Sequence, residues 1–107
     1  MPYVVSFVRW PGEATVEIVK KAIEVDKKFP DDDSLGEALV PNAINADLDG
    51  IKSFSVTLVK PGKLEETILR ARSILNMYLS IPGFKYSVET WATVEEAYTS
   101  IGQTPPG

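Results

Sequence analysis

The sequence predicts a pseudo-symmetric α+β domain of β-α-β-β-α-β order, and three observations carry that expectation. Val8-Arg9-Trp10-Pro11-Gly12 recurs as Leu58-Val59-Lys60-Pro61-Gly62. An apolar, strand-like run precedes each Pro-Gly and an amphipathic, helix-like run follows it, with Ile18-Val19 and Ile68-Leu69 at the same offset. Between the halves, Asp47-Leu48-Asp49-Gly50 supplies the turn chemistry of a hairpin.

Tyr3 to Trp10 is rich in β-branched and aromatic residues and is stopped by Pro11-Gly12, which makes it β1. Glu13 to Phe29 reads as the first helix. Ile18, Val19, Ala22, Ile23 and Phe29 form its apolar side, and Glu17–Lys21 and Glu24–Lys28 are favourable i,i+4 pairs. Pro30-Asp31-Asp32-Asp33-Ser34 ends it. Leu35 to Ala46 is a weaker strand, β2, placed at an edge because Pro41 lacks an N–H; its register is left open. Ile51 to Val59 is β3, with Phe54, Val56 and Leu58 alternating against Ser53, Ser55 and Thr57. The second helix runs from about Lys63 to Leu79 on a stripe of Leu64, Ile68, Ala71, Leu75 and Tyr78. Phe84 to Trp91 is β4. Thr93-Val94-Glu95-Glu96 fits a capping box opening a short third helix to Ile101, with Gly102 at the C-cap position.

This order is the split βαβ, ferredoxin-like arrangement. The expected sheet has four strands and is antiparallel overall, with both long helices on one face. β1 and β3 are expected at its centre, parallel to each other, and β2 and β4 at its edges. The repeat places Val4, Val8, Phe54, Val56 and Leu58 under the helices, against Ile18, Val19, Ala22, Ile68, Ala71 and Leu75. The other face then carries Tyr3, Val5, Phe7 and Arg9, with Ser53, Ser55, Thr57 and Val59, and Lys85, Ser87, Glu89 and Trp91. Residues 1–102 form one domain, and 103–107 are expected to be a disordered tail.

Bulk properties bound the function. The 107 residues suit one domain, 44% of them are apolar, and the net charge is −4. That balance argues against a nucleic-acid footprint, which needs clustered basic charge. Cysteine and histidine are both absent, which removes thiolate chemistry, disulfides and the usual neutral-pH acid/base. No apolar stretch approaches a membrane span, and Met1-Pro2-Tyr3-Val4 lacks a basic n-region, so a cytoplasmic location without membrane contact is expected.

The element order, the half-apolar second face and the closing Glu89-Thr90-Trp91-Ala92-Thr93-Val94-Glu95-Glu96-Ala97 resemble the dimeric α+β barrel proteins. The resemblance implies two ferredoxin-like subunits stacked sheet to sheet. Members of that superfamily include cofactor-independent monooxygenases, muconolactone isomerase-like enzymes, heme-degrading proteins and small proteins of unknown function. No family catalytic residue matches a position here, and the absent histidine departs from the heme-degrading members.

Three candidate sites follow. Tyr3, Phe7, Arg9, Ser55, Thr57 and Trp91 would line a pocket for a small planar or aromatic anion gripped by Arg9; otherwise these side chains simply fill a dimer interface. Arg9, Gly12, Lys60, Gly62 and Lys63 surround the two Pro-Gly turns, where helix N-termini offer free N–H groups to an anion; otherwise they are strand-to-helix punctuation. Asp31-Asp32-Asp33, with Glu37, Asp47 and Asp49, has no metal-binding spacing and reads as a solvated turn, so no metal site is expected. The functional expectation is a small homodimeric protein binding an apolar or aromatic anion in a barrel pocket, without a cofactor. A cofactor-free monooxygenase- or isomerase-like enzyme using Tyr3, Tyr86, Arg9 and Glu89 is the first alternative. An oligomerisation module without a ligand is the second.

Overall fold

In a computed structural model that describes residues 1–106, the chain runs β1 (Tyr3–Trp10), a 3-10 turn (Gly12–Ala14), α1 (Thr15–Lys28), β2 (Gly36–Asp47), β3 (Gly50–Val59), α2 (Leu64–Asn76), β4 (Lys85–Trp91) and α3 (Val94–Ser100). Gly107, the last residue of the expected tail, lies outside the described residues. Local chemistry accounts for the ends. The Thr15 hydroxyl donates to the Gly12 carbonyl (2.7 Å) and accepts from the Trp10 indole N–H (3.1 Å), tying strand end to helix start. Lys27 and Lys28 sit in the last turn of α1, where the helix dipole favours cations. The capping box of α3 is complete: Thr93 Oγ accepts from the Glu96 N–H (3.1 Å), and the Thr93 N–H donates to the Glu96 carboxylate (2.9 Å).

The α+β class and the four-stranded antiparallel sheet are as the sequence predicts. The strand order is β2-β3-β1-β4, with β1 and β3 central. β2 is an edge strand whose pairing slips between Ala38 and Val40 and again between Val40 and Ala43, the stretch before and around Pro41. One expectation fails here. β1 and β3 are antiparallel, not parallel. A helix and β2 lie between β1 and β3 in sequence; β1 and β2 run the same way, and the β2–β3 hairpin reverses the chain.

The register of β3 also differs from expectation. Tyr3 pairs with Leu58, Val5 with Val56 and Phe7 with Phe54, so these six residues share the open face of the sheet. Ser53, Ser55 and Thr57 therefore lie under the helices with Val4, Ser6 and Val8, and the expectation that Phe54, Val56 and Leu58 pack there is overturned. The cause is one residue. Trp10, the last buried residue of β1, is followed directly by Pro11, whereas Val59, the last residue of β3 and fully buried, is separated from Pro61 by Lys60. Aligning the two Pro-Gly motifs thus slips β3 by one position, and a one-residue slip moves every side chain to the opposite face.

The core is concentrated at one end of the sheet. Trp10, Ala14, Ile18, Ile81 and Phe84 cluster there, flanked by Val8, Ile51, Leu75, Tyr78 and Tyr86. The buried side of α1 is Ile18 and Val25, seven residues apart on one helix face, and Ala14 of the preceding 3-10 turn continues it. Val19 and Ile23 are exposed (58% and 56%) rather than inward-facing, so the apolar side of this helix is narrower than its composition suggests.

Candidate functional site

Between the sheet and helices α1 and α2 lies a cleft of about 680 Å³ that begins at the Trp10 cluster, with Trp10, Ile18 and Phe84 in its wall. Its floor is the helix-facing side of β1 and β3. The inward alternation of these strands contributes Val4, Ser6 and Val8 from one and Ser53, Ser55 and Thr57 from the other. Its roof is apolar: Ile18 and Ala22 from α1, Ala71, Ile74 and Leu75 from α2. Ser6 and Ser55 face each other across the ladder. Among the described residues, none of the four floor hydroxyls makes a side-chain hydrogen bond to another protein group, although all four residues are half-buried. No buried side-chain oxygen among the described residues lacks a partner, so these hydroxyls remain within reach of water and are free to bond a polar guest.

Charge enters only at the rim. Asp32 and Arg70 line the mouth. Arg70 donates to the Pro30 carbonyl and lies 5.7 Å from the centroid of the Phe29 ring, so its guanidinium is already engaged. Asp32 accepts from both the hydroxyl (2.6 Å) and the N–H (2.9 Å) of Ser34, bonds that hold its carboxyl below the usual aspartate range. Tyr78 closes the other end, stacked on Phe84 with ring centroids 5.2 Å apart. Burial, with a smaller contribution from Asp26, pushes its phenol above the ordinary value and keeps it neutral. Asp32 is the single carboxylate in the lining, and it is bonded to Ser34 rather than to a floor hydroxyl.

The sequence-predicted pocket is divided between two faces. Ser55 and Thr57 line the cleft. Tyr3, Phe7, Arg9 and Trp91 lie on the open face, where Tyr3 pairs with Trp91 at one end and Arg9 stands about 20 Å away at the other. Phe7 and Arg9 share a shallower groove of about 540 Å³ with Lys52, Phe54, Lys85 and Ser87. There Arg9 pairs with Asp47 (3.0 Å), as does Lys52 (3.4 Å). The bond from the Asp49 N–H, reinforced by Arg9 and Lys52, holds the Asp47 carboxyl low. Of the residues proposed for catalysis, Glu89 is on the open face, bonded to the Trp91 indole N–H (3.2 Å), and the Tyr86 hydroxyl donates to Asn76.

The anion site at the Pro-Gly turns is also divided. Because β1 and β3 are antiparallel, Gly12 with Arg9 and Gly62 with Lys60 and Lys63 lie at opposite ends of the sheet. Lys63 pairs instead with Glu66 (3.6 Å). The acidic loop is a turn, with Asp32 folded back on Ser34, and no group of three or more His, Cys, Asp or Glu among the described residues could hold a metal ion. No described helix is long and apolar enough to cross a membrane.

Ser6 was missed by sequence reasoning because an isolated serine in a strand carries no signal until its partner Ser55 is known. Lys52 and Lys85 became a cluster with Arg9 only through cross-strand pairing. No protein-family model matches the chain, and comparisons with curated proteins and with solved structures give no match either.

Proposed function

We propose that this chain is a small-molecule-binding protein whose site is the cleft between the sheet and helices α1 and α2. The single observation that supports this is the row of unpartnered hydroxyls, Ser6, Ser53, Ser55 and Thr57, beneath an apolar roof. Alternate residues of a strand are about 6.6 Å apart, so β3 offers polar contacts at that spacing along one wall. The matching guest is a flat, largely apolar molecule with oxygen atoms along one edge. An anion is a poorer match than the sequence suggests, because Arg70, the single basic residue in the cleft lining, is already engaged by the Pro30 carbonyl and the Phe29 ring. The cleft volume falls within the range of ordinary ligand pockets. The engagement of Asp32 by Ser34 rather than by a floor hydroxyl favours binding over catalysis.

The same reading includes a ferredoxin-like homodimer paired sheet to sheet, as in the dimeric α+β barrels. The accessible surface of the chain is 7258 Å², against about 5,900 Å² for a folded monomer of this mass. Its radius of gyration is 15.7 Å, against about 13 Å for a compact chain of this length. Both excesses accord with one side of the sheet lacking a second layer.

Titration with the neutral fluorophore N-phenyl-1-naphthylamine tests the cleft. Wild type is expected to bind one probe per chain saturably. Ala71→Phe and Ala22→Phe, which fill the cleft from its roof, are expected to lose binding while melting cooperatively, and Phe7→Ser on the open face is expected to retain it. Absent saturable binding, or loss only in Phe7→Ser, would overturn the assignment.

A further inference from the structure

We propose that the partner on the open sheet face is a second copy of this chain in antiparallel orientation, so that the cationic end of one sheet covers the aromatic, acidic end of the other. The inference rests on the sheet-to-sheet pairing proposed above and adds its direction.

The open face is polarised along its strands. At one end Arg9 stands directly opposite Lys52 on β3 and Lys85 on β4, three cations in one row across neighbouring strands. Like charges directly opposite are unfavourable in an isolated sheet, and Asp47 offsets only Arg9 and Lys52. About 20 Å along the strands, the far row is Leu58, Tyr3 and Trp91, with Glu37 opposite Leu58 and Glu89 one pleat inward, and α3 borders it in a groove shared by Tyr3, Leu58, Glu95 and Glu96. The middle is apolar, with Val5 and Val56 beside the tilted pair Phe7 and Phe54, whose ring centroids are 6.3 Å apart. Phe7 (38%), Phe54 (40%) and Trp91 (51%) keep a large share of their surface in solvent.

A second copy is the occupant whose chemistry this pattern specifies. A stable interface takes roughly 800 Å² from each partner, and Phe7, Phe54 and Trp91 supply exposed apolar surface for it on this face. A closed dimer needs a twofold axis lying in the interface. An axis along the strands would set Arg9 and Lys52 of one sheet over the same row of the other, cation on cation. An axis across the strands, passing at the level of Ser6, sets that row over the partner's Tyr3 and Trp91 and beside the partner's Glu89 and Glu37. Guanidinium and ammonium groups are attracted to aromatic faces as well as to carboxylates. The rows therefore complement each other in only one of the two directions.

Sedimentation equilibrium at micromolar chain concentration tests pairing and direction separately. A wild-type monomer, or a dimer unaffected by Phe7→Asp, overturns the pairing and the direction with it. Given a dimer sensitive to Phe7→Asp, raising NaCl from about 0.05 M to about 0.5 M is expected to weaken it about threefold or more, because screening removes the cross-end attraction. Lys85→Glu is expected to weaken it about tenfold, and Lys85→Glu with Glu89→Lys to restore it. A dimer that tightens with salt and tightens in Lys85→Glu overturns the antiparallel direction while leaving the pairing intact. So does one indifferent to both. The chain contains no cysteine, so disulfide trapping has no background. Lys52→Cys chains mixed with Leu58→Cys chains, which the axis across the strands sets face to face, are expected to cross-link; self-linking by Lys52→Cys without linking to Leu58→Cys would reverse the direction.

Discussion

Ser6 stands directly opposite Ser55 across the β1–β3 ladder, and both side chains lie beneath the helices. A position under two amphipathic helices ordinarily holds an aliphatic residue, and this pair is the strongest single mark of the cleft. Ser55→Ala removes an unpartnered, water-accessible hydroxyl and is expected to leave chain stability within about 0.5 kcal/mol of wild type. The same change is expected to weaken binding of an oxygen-edged guest about three- to tenfold. Urea unfolding and probe titration on the same samples check both; a variant less stable than wild type by more than this would mean that the hydroxyl is already satisfied.

Thr15 joins Trp10 to the start of α1 by donating to Gly12 and accepting from the indole. Thr15→Val keeps the shape and leaves the indole N–H in its part-buried site without an acceptor. A loss of about 1–2 kcal/mol is expected, read as a lower urea midpoint with an unchanged slope.

Gly83 has φ +82, and a Cβ there would meet the Pro11 ring at 2.6 Å. The turn between α2 and β4 is thus packed against the turn between β1 and α1. Gly83→Ala is expected to cost about 1–3 kcal/mol, from left-handed backbone strain and displacement of Pro11. A melting temperature equal to wild type would show that the contact yields without cost.

The Glu96 carboxyl is held below its ordinary value of 4.5, chiefly by the Thr93 N–H and further by the chain amino group 3.3 Å away. A depressed folded-state value contributes stability above the unfolded value and loses it as pH falls through the folded one. Amide protection in α3 is therefore expected to decline from about pH 4.5 downward, ahead of the central strands. Glu96→Gln is expected to remove that pH dependence. Equal protection of α3 at pH 6 and well below 4 in wild type would contradict this.

Much of the fold was legible in the sequence, because helices and strands announce themselves by period. The capping box at Thr93 and Glu96, Pro41 on an edge and the stops at Pro-Gly rest on local stereochemistry and lie where expected. The alternation of Ser53, Ser55 and Thr57 against Phe54, Val56 and Leu58 defined two faces of β3, but alternation cannot say which face meets the helices. That depends on pairing with β1, and the extra Lys60 made the repeat a misleading guide to it.

What the sequence by itself determined is therefore the set of elements and their order, since these follow from interactions a few residues apart. The tertiary structure alone decided that Ser55 and Thr57 lie in a cleft while Tyr3, Phe7, Arg9 and Trp91 lie on the open face, and that Arg9, Lys52 and Lys85 form one row. These relations join residues far apart in the chain through strand direction and register, quantities fixed only when the sheet as a whole is assembled.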